Sequence, residues 1–404
     1  MSAAIVASSS RSRHRAWIEV DLAAVARNLG VLRRLGREGQ QVIGVVKANA
    51  YGHGDVEIAR TLVGEGVDRL AVATVDEGIR LRQAGIDAPI LVLFEMDRAE
   101  AARAVAARLE ATIFTDRGVA ALSHAATARR TVAVHVKVDT GLGRQGADPA
   151  DALALATSAV SRPEIELAGT YTHLAVPGED EAYTDLQLVR FGQVLDALRG
   201  SAIDPGLVHV SGTGGVLSGV GGFADAIRPG LGLYGMAPSW ASADDIGLRP
   251  ALSLRSLPLR IFDLAGGEPI GYGLRFRAGR RSRIATLGMG YADGWPRVHA
   301  NNGVVLVRGK RAPIVGAISM DALTVDVTDV DGVTEDDEFV LIGSQDGERI
   351  TADEVAAQRR TINYEVTTAL GIRLSRMPLA SGRRDGPIAR VPSAAIPGAA
   401  HGGV

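Results

Sequence analysis

The chain has 404 residues, of which 46% are hydrophobic and 22% are charged, and its formal net charge is −2 at pH 7. This composition is typical of a globular protein, and the length predicts two domains rather than one. A net charge so close to zero, without a basic stripe, argues against binding to nucleic acid. The sequence contains no cysteine, which excludes disulfides, thiolate metal sites and cysteine nucleophiles.

The sequence offers no stretch of roughly 18 apolar residues that would span a membrane, and its N-terminus lacks the apolar region of a signal peptide. We therefore expect a cytoplasmic protein that does not bind membranes. Residues 1–15, rich in Ser and Arg, are predicted to form a disordered extension. Residues 383–404, rich in Gly, Pro and Ala, are predicted to form a disordered tail.

Eight short segments rich in branched aliphatic residues predict β-strands in the first part of the chain. Most are separated by helical patterns such as DEGIRLRQAG and DALALATSAV. Nearly all-apolar strands joined by helices are typical of a parallel sheet covered on both faces, and eight such units close a barrel. An open, doubly wound sheet is the alternative. The segments are VIGVVK at 42, LAVATV at 70, PILVLF at 89, ATIFTD at 111, TVAVHVKVD at 131, EIELAGTYTHL at 164, LVHVSG at 207 and AIRPGL at 226.

The alternation of strands and helices stops after about residue 250. The segments that follow are separated by short turns and include ALSLRSLPLR, RIATLGM, GVVLVRG, APIVGAISM, ALTVDVT and EFVLIG. This pattern predicts antiparallel β-structure. The predicted fold is an eight-stranded parallel β/α barrel at residues 16–250, followed by a mostly antiparallel β domain at residues 251–382.

Polar residues gather at the carboxyl ends of the predicted barrel strands, where β/α barrels place their catalytic groups. Lys47 ends the first strand, Lys137 the fifth and His173 the sixth. Thr213 follows the seventh strand, and Arg228 lies in the eighth. A charged lysine costs several kcal/mol to bury unless it is paired or its pKa falls. We therefore expect Lys47 either to reach water or to serve in catalysis.

Lys47 has three possible chemical uses: general base, Schiff-base partner or phosphate ligand. The lysine of KANAYGHG precedes the glycines, so the stretch is not a Walker loop. The loops HVSGTGGVLSG and RPGLGLYG follow the seventh and eighth strands, where barrels often bind phosphate through backbone N–H groups. A lysine on one side of the mouth and a phosphate cradle on the other favour pyridoxal phosphate, because that cofactor carries an aldehyde and a phosphate at its two ends.

These motifs together resemble the alanine racemase family. VVKANAYGHG is similar to its cofactor-attachment motif, and the resemblance extends over roughly residues 16–382. It implies a pyridoxal 5'-phosphate enzyme with a β/α barrel and a C-terminal β domain, which interconverts L- and D-alanine and supplies D-alanine for peptidoglycan. The other matching motifs, in the family's order, are VKVDTGLGR, THL, IRPGLGLYG, GYG, GYADGWPR, ISMD and INYE.

The resemblance implies a two-base mechanism in a homodimer with shared active sites. Lys47 would form the Schiff base and, once released, act as the base on one face of the amino acid. Tyr272, from the partner's C-terminal domain, would act on the opposite face, so that a proton leaves one side and returns to the other. Arg228 would face the pyridine nitrogen and leave it unprotonated, because a guanidinium does not give up a proton. His173 would pack on the ring and link Arg228 to Tyr272.

The same resemblance implies a set of binding residues. Arg144 would bind the substrate carboxylate, which a guanidinium can hold bidentately. Lys137 lies seven residues before Arg144, and the resemblance implies that it is carbamylated, so that it positions Arg144 instead of repelling it. Met320 would donate its backbone N–H to the carboxylate across the dimer interface. The remaining positions are Tyr51, Thr213, Tyr364, Gly230 and Leu231 around the phosphate, and Tyr291 and Asp321 near the substrate.

Three departures from the family pattern leave the substrate open. Gly212 and Thr213 stand where the family usually has Asn-Ser, LAVPGEDE after His173 differs, and Ala322 replaces a polar residue. A racemase of another small amino acid, such as serine in a specialised pathway, is therefore an alternative. A noncatalytic pyridoxal-phosphate carrier would leave Tyr272 without a use. A decarboxylase of the same two-domain plan is disfavoured by Arg228 and by the absence of cysteine. No metal site is expected.

Overall fold

The computed structural model describes residues 15–126 and 131–379. They form a closed parallel barrel and a separate, mostly antiparallel sheet, which confirms the predicted fold class. The predicted tail at residues 383–404 and the predicted N-terminal extension lie outside the described residues, with one exception. Arg15 is described, and its carbonyl oxygen accepts a hydrogen bond of 2.7 Å from the backbone of Leu257. The extension predicted for residues 1–15 is therefore wrong at Arg15.

Eight parallel strands close the barrel, each paired with the next in chain order, and the last pairs with the first through Ala226 and Gln41. Each predicted barrel segment supplies one strand, which confirms the barrel over the open sheet. The final strand is shorter than predicted, so Arg228 follows it instead of lying within it. Counting β1 as Ala16–Asp21, the barrel strands are β2 (Gln41–Val45), β3 (Arg69–Val72), β4 (Ile90–Glu95), β5 (Glu110–Ile113), β6 (Val132–Lys137), β7 (Ile165–Tyr171), β8 (Leu207–His209) and β9 (Ala226–Ile227).

Several helices on the outside of the barrel begin at polar caps. Thr74 accepts the backbone N–H of Glu77, whose carboxylate accepts the N–H of Thr74 in return, a capping box that fixes where the helix starts. No helix among residues 15–126 and 131–379 is long and apolar enough to cross a membrane. The helices are α1 (Leu22–Leu35), α2 (Lys47–Tyr51), α3 (Asp55–Gly64), α4 (Val75–Gln83), α5 (Arg98–Ala106), α6 (Asp116–Ala125), α7 (Ala152–Val160), α8 (Glu181–Gly200), α9 (Thr213–Leu217), α10 (Ala243–Ile246), α11 (Ala352–Arg359) and α12 (Asn363–Thr368).

The second sheet has ten strands in the order β11-β14-β17-β16-β15-β18-β10-β1-β20, with β19 paired to β18. A separate two-stranded ribbon, β12 with β13, carries the loop that contains Tyr272. The bounds are β10 (Leu252–Ser256), β11 (Pro258–Leu264), β12 (Pro269–Ile270), β13 (Phe276–Arg277), β14 (Ser282–Leu287), β15 (Val304–Val307), β16 (Lys310–Val315), β17 (Leu323–Asp326), β18 (Phe339–Gln345), β19 (Glu348–Ile350) and β20 (Ser375–Leu379).

Strand β1 belongs to this second sheet, which corrects the prediction that the barrel domain starts at residue 16. It pairs antiparallel with β10, where Ala16 opposes Ser256, and parallel with β20, where Trp17 opposes Ser375. Both edges of β1 therefore find backbone partners in the second sheet. The chain passes from that sheet into the barrel through α1, so its N-terminal strand belongs to the second sheet and the barrel begins at β2.

Candidate active site

A cavity of about 570 Å³ opens at the carboxyl ends of the barrel strands. Its wall contains every predicted site residue that belongs to the barrel, together with Tyr364 from α12. Among the described residues, Glu179 is the one acidic side chain in that wall. The predicted residues gathered there are Lys47, Tyr51, Lys137, Arg144, His173, Thr213, Arg228, Gly230, Leu231 and Tyr364.

Lys47 enters this cavity at the start of α2, which is a strained left-handed turn and not a right-handed helix. The four residues after it, 48–51, have φ angles of +52° to +54°, the left-handed region that costs a non-glycine residue about 1–2 kcal/mol each. Glu77 supports the turn by accepting the N–H of Ala48 at 2.7 Å, and the Asn49 side chain accepts the N–H of Asp55 at 3.0 Å. The surrounding structure thus enforces a conformation that the local sequence does not favour.

Both lysines of the cavity have lowered pKa values. Burial, and then the positive charge of Arg144, lowers the pKa of Lys47 from its ordinary value. The same two causes, followed by the charge of Arg228, lower the pKa of Lys137 to about 7. A larger share of each side chain is therefore the neutral amine, which is the nucleophilic form.

A short loop brings Arg144 to the cavity. Asp139, just beyond the end of β6, accepts the backbone N–H groups of Gly141, Gly143 and Arg144 at 3.0, 3.1 and 3.0 Å. Burial raises the pKa of Asp139, but these hydrogen bonds outweigh it and hold the pKa below its ordinary value. The Tyr183 hydroxyl donates to the Gly141 carbonyl at 2.7 Å and ties the loop to α8.

Arg228 lies buried at the floor of the cavity. Its Nη2 donates to the backbone oxygens of Thr172 and Val210 at 2.7 and 2.9 Å, and it lies 3.3 Å from His173 Nδ1. Burial lowers the pKa of Arg228 to about 10, so the guanidinium stays charged at neutral pH. Burial, followed by the charge of Arg228, lowers the pKa of His173 well below 6.5, so that the imidazole is neutral.

The opposite wall combines hydroxyl groups with a narrow glycine segment. Thr213 Oγ1 accepts the N–H groups of Gly230 and Gly232 at 3.2 and 3.1 Å, which leaves its own hydroxyl hydrogen free to donate. A Cβ atom at Gly230 would lie 2.4 Å from the Tyr51 hydroxyl oxygen. The Tyr51 ring is held in turn by Tyr234, at 4.9 Å between centroids. Hydroxyl donors around a segment too tight for a side chain fit a phosphate group.

Four predicted residues, Tyr272, Tyr291, Met320 and Asp321, lie outside this cavity on the second sheet domain. All four are exposed in the single chain, Tyr272 by 76%, Met320 by 53% and Tyr291 by 42%. Tyr272 follows Gly271, whose φ of +76° starts the short turn that projects the tyrosine. The chain therefore does not bring Tyr272 to its own Lys47.

The loops that carry Tyr291 and Met320 are fastened to each other. Tyr291 and Ala292 donate their backbone N–H groups to the carbonyls of Ser319 and Met320, each at 3.0 Å. Arg373 joins the same loops through ion pairs with Asp293 at 2.9 Å and Asp321 at 2.8 Å. The Asp321 carboxylate is engaged inside its own chain, and its substrate role stays a prediction.

Sequence reasoning missed several residues that surround Arg228. Tyr171, fully buried, packs its ring 4.9 Å from the Arg228 guanidinium and 4.5 Å from the His209 ring. His135 lies two residues before Lys137 on β6. Because alternate residues of a strand share a face, that spacing could have placed His135 inside the barrel.

A buried guanidinium, two lysine amines with lowered pKa values and a glycine-lined hydroxyl pocket at the mouth of a β/α barrel are the features of a barrel enzyme's active site. The alanine racemase N-terminal domain model matches residues 20–238, and the C-terminal domain model matches residues 251–378. Together these models cover most of the chain. The chain belongs to the alanine racemase family.

Individual relatives agree with the family match. The alanine racemase of Halothermothrix orenii is 38% identical over 362 residues, covering 89% of this chain and 96% of that protein. Alanine racemase 2 of Caldanaerobacter subterraneus is 39% identical over 368 residues, covering 90% and 95%. The crystal structure of alanine racemase from Bacillus anthracis with bound L-Ala-P has a TM-score of 0.84, 34% identity, and coverage of 92% and 96%. These matches favour neither a serine racemase nor a noncatalytic carrier.

Proposed function

We propose that this protein is an isomerase that interconverts L- and D-alanine with pyridoxal 5'-phosphate and supplies cytoplasmic D-alanine for peptidoglycan. The observation that carries the proposal is the meeting of Lys47 and Arg228 in one cavity. When bound, the cofactor acidifies the α-hydrogen of the amino acid by accepting electron density into its ring. A guanidinium that stays charged at neutral pH fits a racemase better than a carboxyl group would, because it does not readily give a proton to the ring nitrogen.

The cavity residues divide the work of holding the cofactor. The Lys47 amine, whose lowered pKa favours the nucleophilic form, would bind the cofactor's aldehyde carbon, and the hydroxyl groups of Tyr51, Thr213 and Tyr364 would hold its phosphate. Arg228 would pair with its ring nitrogen. The glycine-lined wall supports this assignment, since a Cβ at Gly230 would collide with the Tyr51 hydroxyl. An amide usual in the family is replaced by Gly212, so the phosphate would depend more on hydroxyl donors.

We propose that two chains complete each active site. Tyr272 and Leu274 are 76% and 61% exposed, a large apolar surface for a turn that contains a predicted base. In a symmetric dimer each chain would place this turn in the other chain's cavity. Lys47 would then move the α-proton on one face of the substrate and Tyr272 on the other. Met320 and Tyr291, on their fastened loops, would enter with it.

The function can be tested in deuterated water with the purified protein, pyridoxal 5'-phosphate and L-alanine, with L-serine in a parallel reaction. We expect the optical rotation of alanine to fall to zero, because enantiomers have equal free energies, and the product to carry deuterium at the α-carbon. Deuterium exchange without inversion would contradict the two-base assignment. Release of a decarboxylated amine would contradict the racemase. Faster inversion of serine than of alanine would identify serine, and not alanine, as the substrate.

Lys137 is expected to carry a carbamate that positions Arg144. Carbon dioxide adds only to a neutral amine, with loss of one proton, and the lowered pKa of about 7 makes that form abundant at neutral pH. Raising the pH from about 6 to 8 should therefore increase the modified fraction, which 13C NMR with labelled bicarbonate measures directly. The exposed Lys310 serves as the internal control and should stay unlabelled under the same conditions. A Lys137 signal absent at pH 8 would contradict the assignment.

A further inference from the structure

A line of hydrogen-bonded side chains crosses the barrel interior from the cavity to the opposite end. Arg228 Nη1 lies 2.7 Å from His209 Nδ1, His209 Nε2 lies 2.9 Å from His135 Nδ1, and His135 Nε2 lies 3.2 Å from Glu110 Oε2. Arg228 follows the end of β9, whereas Glu110 is the first residue of β5. We refer to these four side chains as the barrel relay.

The direction of every proton in the barrel relay follows from its two ends. A guanidinium can only donate, so His209 Nδ1 must be bare and its single hydrogen must lie on Nε2. That hydrogen is donated to His135 Nδ1, which must also be bare. The His135 hydrogen therefore lies on Nε2 and points at Glu110, where an ionised carboxylate can only accept. A doubly protonated His135 is excluded, because its Nδ1 hydrogen would meet the His209 hydrogen.

Glu110, at the far end of the barrel relay, is surrounded by groups that favour its ionised form, which only accepts hydrogen bonds. Arg69 Nε lies 3.3 Å from Glu110 Oε2, and Arg69 Nη1 donates to Gln41 at 2.7 Å. Burial raises the pKa of Glu110, but its contacts with His135 and Arg69 outweigh burial and lower the pKa. Burial, followed by the charge of Arg228, lowers the pKa of His209 well below 6.5, which keeps that imidazole neutral.

We infer that Glu110 is a positioning residue for Arg228, acting through His135 and His209. With a carboxylate at the far end, both ends of the barrel relay favour this arrangement; without it, Arg228 alone would oppose the reverse arrangement, in which each imidazole carries its hydrogen on Nδ1. His209 would then turn a hydrogen toward Arg228 Nη1, and the 2.7 Å contact would become repulsive. Glu110 opposes this reversal from the other end of the barrel, so that Arg228 keeps its contact with His209 without moving. Only its kinetic consequence depends on the proposed racemase function.

The first measurement needs no variant. In 15N-histidine-labelled holoenzyme, long-range 15N–1H NMR distinguishes bare from protonated ring nitrogens, and single histidine substitutions assign the signals. We expect bare Nδ1 and protonated Nε2 at both His135 and His209. A protonated Nδ1 at His209 in the wild-type protein would overturn the inference whether or not the protein racemises alanine. The expected tautomers in a protein without racemase activity would instead contradict the proposed function alone.

The second measurement compares Glu110→Gln with Glu166→Gln, which removes an exposed carboxylate from β7. The amide of Glu110→Gln can turn either its oxygen or its nitrogen toward His135, so we expect a mixture of tautomers at His209. We also expect kcat to fall about tenfold while KM for alanine changes less than about twofold. Glu166→Gln should leave both unchanged. Unaltered tautomers and kcat in folded Glu110→Gln would overturn the inference, since a purely structural role would lower only stability.

Discussion

Replacing Lys47 with alanine is expected to abolish racemisation and the visible absorption band of the bound cofactor together. The substitution removes both the amine that would bind the cofactor's aldehyde and the base on one face of the substrate. Loss of a base alone costs about 10²–10⁴-fold in rate, so we expect kcat to fall by at least about 10⁴-fold. The remaining phosphate contacts should still hold some cofactor noncovalently, which fluorescence titration would measure.

The scarcity of lysine makes this experiment unusually clean. The sequence contains three lysines, Lys47, Lys137 and Lys310, and Lys310 is exposed at the start of β16. Borohydride reduction followed by peptide mass spectrometry should place the cofactor on Lys47. Lys310→Ala should leave the band and the activity unchanged. A band that survives in Lys47→Ala and disappears in Lys137→Ala would reverse the roles assigned to the two buried lysines.

The barrel could be predicted because each of its strands is marked by a local run of apolar residues. Runs such as VIGVVK and PILVLF are too continuously apolar for a strand exposed on one face. β2 is buried on both faces from Val42 to Val45, and β4 is buried on both faces from Ile90 to Val92, although Phe94 near its end is exposed. Strand β1 has no comparable local signal of its partner. Its register with β10 pairs Ala16 with Ser256, and the whole barrel lies between these two residues in the sequence. Periodicity along the chain cannot reveal a contact between residues so far apart.

The conformation of the turn after Lys47 could not be predicted from the local sequence. Alanine at positions 48 and 50 favours a right-handed helix by intrinsic propensity, yet both residues have left-handed φ angles of +53° and +52°. Contacts from Glu77, 29 residues away, help to impose that conformation. Tertiary structure here overrides local preference in the turn that directly follows Lys47, the proposed cofactor-binding residue.

The candidate site was predicted from motifs, but beyond Arg228 the residues of the barrel relay lie outside those motifs. Lys47, Arg144 and Arg228 lie in matching segments, and the fold gathers them in one cavity. His135 and Glu110 carry no motif, and a single buried histidine indicates no function by itself. Their connection appears only when the three-dimensional order of the strands places β5, β6 and β8 around Arg228.

Tyr272→Phe is expected to lower kcat about 10³-fold in both directions while leaving the visible band intact. The phenyl ring preserves the packing of the turn and removes only the hydroxyl that would carry the proton. The exposed Tyr272 does not line the cavity of its own chain, so the decisive question is in which chain's active site it acts. Loss of the band in Tyr272→Phe would indicate a role in cofactor attachment instead.

Hybrid dimers can answer that question by subunit complementation. Lys47→Ala and Tyr272→Phe chains, co-expressed with different tags and purified through both, would form a dimer with one doubly damaged site and one intact site if Tyr272 acts across the interface. This hybrid should recover about half of the wild-type activity per dimer. Each variant purified as its own homodimer should stay inactive and serves as the control.

A second hybrid dimer tests the same question with the expected outcomes reversed. Pairing a wild-type chain with the Lys47→Ala/Tyr272→Phe double variant leaves no intact site if the tyrosine acts across the interface, because each site then lacks one of its two bases. If Tyr272 acted within its own chain, the wild-type subunit would keep a complete site and about half of the activity, and the first hybrid would be inactive. The two arrangements therefore predict opposite results in both hybrids, and the pair of measurements distinguishes them without reference to the strength of the dimer.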